Sequence, residues 1–105
     1  MIQINNDVAI IILGHGSRNI NYRKSVENLT SNLKIRLKSK NFFYSFIEID
    51  TPLLEECLNL LTKKFKKIYI FPLFIFDGKH YKIDINKSLK KFKKHKNIIL
   101  IQKLS

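Results

Sequence analysis

Six consecutive apolar residues, Val8-Ala9-Ile10-Ile11-Ile12-Leu13, constrain the fold of this chain more than any other stretch. The run is rich in β-branched side chains and far shorter than the roughly 20 residues that a membrane-spanning helix needs. It reads as a strand buried on both faces, as in the interior of a parallel sheet. Such a sheet requires crossover connections, normally helices, packed on its two sides. The run ends in Gly14-His15-Gly16-Ser17-Arg18, and a second apolar stretch ends in Asp77-Gly78-Lys79-His80. All three glycines of the chain lie in these two loops. Glycine there permits positive φ or close backbone approach. Each loop therefore sets a histidine just past a buried strand, and the carboxyl ends of strands are where open α/β sheets bind ligands.

Taken in order, Asn21–Lys38 is predicted as a helix with Tyr22, Val26, Leu29, Leu33 and Leu37 on one apolar stripe. Phe42–Ile49 is the second strand, with Glu48 at its carboxyl end. Thr51 is expected to cap a second helix, with Pro52 in its first turn. Leu54, Cys57, Leu58, Leu61 and Phe65 form that helix's buried face. A third strand runs from about Lys67 to Phe76, and Pro72 within it signals a bulge or an edge position. A third helix lies within His80–Lys94, and Asn97–Gln102 is a fourth strand. The alternation predicts one domain over residues 1–105, a three-layer α/β/α arrangement around a four-stranded parallel sheet with right-handed crossovers. Val8–Leu13 and Ile68–Phe74, apolar throughout, are expected side by side in its interior, buried on both faces.

The formal charge of +12 points to an anionic partner: nucleic acid, a membrane surface, or a polycarboxylate or phosphorylated small molecule. Only Arg18, Arg23 and Arg36 are arginines, whereas base-reading sites favour arginine. Most of the lysines accordingly read as a solvated surface. The N-terminus carries no positive charge ahead of the apolar run, so a signal peptide is not expected and a cytosolic location is. Cys57 is the single cysteine, which rules out an intrachain disulfide and a thiolate metal cluster. On its helical stripe it reads as a small core residue.

Three potential metal ligands follow strand ends: His15, Glu48 and His80. Two imidazoles and a carboxylate suit a first-row divalent ion. Asp84, one helical turn after His80, either orients that histidine or stabilises the first turn of its helix. The first loop also admits a phosphate cradle, built from glycine N–H groups and Arg18, or a phosphohistidine intermediate on His15. The dinucleotide and P-loop glycine spacings are absent, and Ser17 lacks the context of a serine nucleophile. A small basic nucleic-acid-binding domain is the alternative from another class; it would depend on the lysine faces and be indifferent to His15.

The segments Ile11–Arg18 (IILGHGSR), Phe46–Leu58 (FIEIDTPLLEECL) and Phe71–Asp84 (FPLFIFDGKHYKID) together resemble the small sirohydrochlorin chelatases, the CbiX/SirB type of class II tetrapyrrole chelatase. With the helices between them they cover nearly the whole chain. The resemblance implies a chelatase-like half-domain that inserts Fe2+, Co2+ or Ni2+ into an eight-carboxylate tetrapyrrole, for sirohaem or cobalamin. It implies metal-handling roles for His15 and His80, with Glu48 as a further ligand or base. Gly14, Gly16, Ser17, Arg18, Gly78, Lys79 and Asp84 are the expected substrate-binding positions. No permanently bound cofactor is expected beyond the metal substrate. The partners implied are a tetrapyrrole and a second copy of the chain, since larger relatives fuse two such halves; neither membrane nor nucleic acid is expected. The chain departs from the family pattern at Lys79, where a second glycine is usual, and at Asn86, where proline is common. It also lacks the family's usual final helix.

Overall fold

In a computed structural model, described for residues 5–73, 79–95 and 97–101 (backbone alone at 79–82 and 84), four strands alternate with three helices. The elements are β1 (Val8–Gly14), α1 (Ile20–Arg36), β2 (Phe42–Phe46), α2 (Leu54–Leu61), β3 (Lys67–Pro72), α3 (Lys79–Lys90) and β4 (Ile98–Leu100). All strand pairs are parallel, in the order β2-β1-β3-β4. The predicted α/β class, the four-stranded parallel sheet and the adjacency of the first and third strands are therefore found. Among the described residues no helix is long and apolar enough to cross a membrane.

The chain leaves β1 in one direction to reach β2, then returns across β1 to β3 and continues to β4. With crossovers of one hand, that reversal sends the first helix to the opposite face from the other two. The buried clusters show this division. Ile10, Ile12, Phe42 and Phe46 pack with Val26 of α1. Ala9, Ile11, Leu13, Ile68 and Ile70 pack with Leu54, Cys57, Leu58 and Leu61 of α2 and Ile85 of α3.

Two-sided burial holds along the whole of β1 but not along β3. Ile68 and Ile70 are buried beneath α2 and α3, while Tyr69 and Phe71, on the other face, are half-buried. The reason is coverage: α1 lies over β1 and β2, and no second described helix joins it on that face. The α1 stripe also differs from expectation. Val26 and Thr30 are its buried residues, whereas Leu29 and Leu37 are exposed. Thr30 fits the apolar side because its hydroxyl donates to the Val26 carbonyl at 2.8 Å, so no buried polar group is left over.

Pro72 marks neither a bulge nor an edge strand. It closes β3, an interior strand, opposite Leu13. The last rung to the fourth strand is Ile101 N–H to the Ile70 carbonyl, 2.9 Å. The next rung of that parallel series would need an N–H from residue 72, which proline lacks. Thr51 is not a cap either. The Pro52 carbonyl accepts from Phe46 N–H at 2.9 Å, and Leu53 bridges Phe46, so this segment extends β2's company before turning. The helix begins only at Leu54, and the Glu56 carboxylate accepts from Leu53 N–H at 2.9 Å. The Thr51–Pro52 peptide is cis.

Candidate active site

β1 lies between β2 and β3, so the topology reverses at its carboxyl end, the position where open α/β sheets form ligand crevices. The loops that follow β1 and β2 meet at this edge of the sheet. His15 follows β1 directly, Glu48 lies two residues beyond β2, and His80 is the second residue of α3, after β3.

The structure brings two of the three sequence-derived ligands into contact. His15 Nε2 and Glu48 Oε1 are 2.8 Å apart. Both side chains reach solvent, with exposures of 46% and 55%. Glu48 is not in the strand, as the sequence suggested, because β2 ends at Phe46. Instead the two loops continue the sheet's pairing without being strands. Ile47 N–H donates to the Gly14 carbonyl and Glu48 N–H to the His15 carbonyl, both at 3.1 Å. The side-chain pair is thus carried on paired backbone, which fixes its separation more tightly than two independent loops would.

The glycines serve that close pairing. Gly16 has a φ of +110°, and a Cβ on it would overlap the Glu48 carbonyl. Only glycine meets both demands. A Cβ on Gly14 would stand 2.7 Å from the Tyr22 hydroxyl and 3.2 Å from the Phe46 ring. The first loop's polar groups are also engaged. His15 N–H donates to the Tyr22 hydroxyl at 2.8 Å, and Ser17 N–H donates to Asp50 Oδ2 at 3.0 Å. Ser17 Oγ accepts from Asn19 N–H, and Asn19 Oδ1 accepts from Asn21 N–H as the cap of α1. These contacts count against a phosphate cradle. Two of the N–H groups it would use are already donating, and the Asp50 carboxylate stands where the anion would lie. Arg18 is exposed.

The other sequence-derived positions lie on α3 or before it. Gly78 and the side chains of Lys79, His80 and Asp84 are outside the described residues. On the backbone, His80 and Asp84 are four apart within α3 and so share a face of that helix. Among the described residues, no three imidazole, thiol or carboxylate groups converge to hold a metal. Cys57 takes no part: it is buried beneath the sheet, and burial pushes its thiol up to about 12, which leaves no thiolate at neutral pH.

Sequence reasoning missed three residues. Tyr22 looked like an ordinary member of a helical stripe, yet its hydroxyl accepts from the His15 backbone. Asp50, next to the Thr51 expected to cap a helix, instead reaches back to Ser17. Ile49, exposed and with a φ of +70°, gave no signal, because β-branched residues rarely adopt that conformation.

The CbiX family model matches residues 9–104. A sirohydrochlorin cobaltochelatase of Methanococcus aeolicus is 32% identical over 82 residues, spanning 73% of this chain and 54% of that protein. The chain thus spans about half the length of this curated relative. Among solved structures, a CbiX protein of Marinobacter aquaeolei has a TM-score of 0.70 at 23% identity, covering 90% of this chain and 80% of its own. The sirohydrochlorin chelatase SirB of Bacillus subtilis subspecies spizizenii, in complex with cobalt, has a TM-score of 0.76 at 22% identity, covering 90% and 42%. SirB of Bacillus subtilis with Fe3+ has a TM-score of 0.72 at 22% identity, covering 90% and 38%. At these identities the structural likeness shows the fold.

Proposed function

The chain belongs to the CbiX family, and from that membership we propose that it is a sirohydrochlorin chelatase, a lyase that inserts a divalent metal into a polycarboxylate tetrapyrrole. The observation that carries the reading is the His15–Glu48 pair at the topological switch point. Fe2+ and Co2+ are the proposed ions, with Ni2+ admitted by the same donors, and sirohaem or cobalamin is the product line. The metal is a substrate, and no cofactor is permanently bound.

The chemistry asks for two things: a weak hold on the ion and a base for two pyrrole protons. An ionised Glu48 only accepts hydrogen bonds, so His15 carries its hydrogen on Nε2 in this pair, and the imidazole lone pair sits on Nδ1. That nitrogen is a donor of suitable strength for an ion that must leave again. Glu48 accepts a pyrrole proton and, being largely exposed, passes it to water. His80 is the proposed second imidazole, from the α3 side of the crevice. Gly14, Gly16 and Ser17 shape the first wall, and Arg18 and Lys79 are proposed to meet substrate carboxylates. The charge of +12 raises the local concentration of such a polyanion. A cytosolic homodimer with the crevice near its interface is the proposed assembly.

Anaerobic metallation of sirohydrochlorin, followed by absorbance with each ion in turn, tests this. His15→Ala and His80→Ala should each remove most of the activity while circular dichroism stays native; the His15 side chain reaches solvent. Glu48→Gln should lower kcat more than it raises KM. Folded histidine variants that insert metal at the parent rate would overturn the assignment.

A further inference from the structure

Glu48, Ile49 and Asp50 form a turn of unusual geometry. Asp50 N–H donates to the Glu48 carbonyl at 2.7 Å, across only one intervening residue. That residue, Ile49, has a φ of +70°. A hydrogen bond of this reach around a positive φ is the rare, strained form of the γ-turn. β-Branched residues fit it worst. Burial does not repay the strain, because Ile49 is 56% exposed. Something else must hold the turn, and two contacts do. The Asp50 carboxylate accepts Ser17 N–H at 3.0 Å, and the Glu48 N–H is bonded to the His15 carbonyl. Both anchors land on the loop that carries His15, on either side of Gly16. The hook therefore begins and ends on its neighbour, with the Glu48 carboxylate delivered to His15 at 2.8 Å.

We infer that Asp50 and Ile49 are positioning residues: Asp50 clamps a strained turn onto the His15 loop, and the turn presents the Glu48 carboxylate to the His15 imidazole. Strained backbone persists where surrounding structure over-determines it, and the usual gain is preorganisation of a site. Ile49 contributes stiffness. A glycine would adopt the same φ without strain, and it would also let the turn explore others. Asp50 contributes an acceptor oxygen rather than a charge, since its partner is a neutral backbone N–H. This inference rests on the reading of His15 and Glu48 as the working pair.

The tests separate a clamp from a generic structural role. Asp50→Ala should lower kcat for metallation by about tenfold or more, with KM within about twofold, because misplacing one reacting group by ~1 Å can cost up to about 100-fold. Asp50→Asn, which keeps an acceptor oxygen, should recover kcat to within about threefold of the parent. Ile49→Gly should lower kcat without lowering Tm. A second readout does not depend on turnover: the ring-nitrogen NMR shifts of His15 at fixed pH. They should move in Asp50→Ala in the direction seen for Glu48→Gln, and stay at parent values in Asp50→Asn. Parent kcat and parent His15 shifts in folded Asp50→Ala would overturn the clamp, as would an Asp50→Asn variant as impaired as Asp50→Ala. A parent protein that metallates no tetrapyrrole, but shows the expected His15 shifts, would remove the chelatase reading and leave the clamp standing.

Discussion

Replacing Gly16 by alanine tests how tightly the loops that carry His15 and Glu48 are pressed together. The residue has a φ of +110°, outside the basins open to an L side chain, and forcing alanine into left-handed backbone costs about 1–2 kcal/mol. The new Cβ would also stand 2.9 Å from the Glu48 carbonyl carbon and overlap its oxygen, so backbone must give. Moving that carbonyl pulls on Glu48 N–H, whose 3.1 Å bond to His15 is worth about 1 kcal/mol. The sum is about 2–3 kcal/mol. For a domain near 100 residues each kcal/mol lowers Tm by about 4–8 °C, so the variant should melt about 8–24 °C below the parent. Gly14→Ala is the control. Its Cβ would stand 2.7 Å from the Tyr22 hydroxyl and 3.2 Å from the Phe46 ring, side chains rather than backbone, and no positive φ is involved. It should cost about 1 kcal/mol, toward the lower end of what overpacking usually costs. Urea denaturation of both variants gives the comparison, and m-values confirm that the same surface is being exposed. If Gly16→Ala lost no more stability than Gly14→Ala, the close approach of the two loops would not be what that glycine serves.

Two further perturbations address the core. Ser45 is fully buried on β2, and its Oγ has no hydrogen-bond partner among the described residues; Ser45→Ala should therefore leave urea stability unchanged or raise it by up to about 1 kcal/mol. Cys57, with its thiol raised from 9.0 to about 12 by burial, should ignore thiol reagents at pH 8 until the chain unfolds. A raised folded pKa contributes stability that is complete below pH 9 and lost as pH climbs toward 12, by up to about 1.4 kcal/mol per pH unit. Comparing urea midpoints of parent and Cys57→Ala across pH 8–11 isolates that contribution, since both share the titration of their lysines and tyrosines.

The fold was legible because its core speaks through runs and periods. The Val8–Leu13 stretch could only be a two-sided strand, and it is one. β3 was harder, since Tyr69 and Phe71 are as apolar in sequence as Ile68 and Ile70, yet only the latter two lie under helices. Apolarity states what a side chain tolerates; coverage depends on how many helices the topology assigns to a face. Pro72 shows a related limit. Proline announces a missing donor, but not which neighbour it faces, and here the missing N–H falls on the side of β4 in an interior strand. Thr30 did not figure in the expected stripe, yet it is buried where Leu29 is exposed, because its hydroxyl bonds to its own helix.

The site divides along another line. His15 and Glu48 were visible because their chemistry is rare and their placement follows from strand ends. The groups that hold them together were not, because most of the holding is done by backbone. Gly14 and His15 carbonyls and the N–H groups of residues 47, 48 and 17 exist whatever the side chains are. Sequence records such bonds only indirectly, at positions where a side chain would obstruct them. Gly16 is that record: its missing Cβ is the space occupied by the Glu48 carbonyl. Read this way, the Gly-His-Gly motif is less a ligand cradle than a seam. The glycines let a second loop lie against the first, and the histidine between them gains a carboxylate at 2.8 Å as a consequence. Any chain of this topology that keeps glycine at the third position of the motif should therefore place the backbone after β2 against it, and an acid two residues past that strand should meet the histidine.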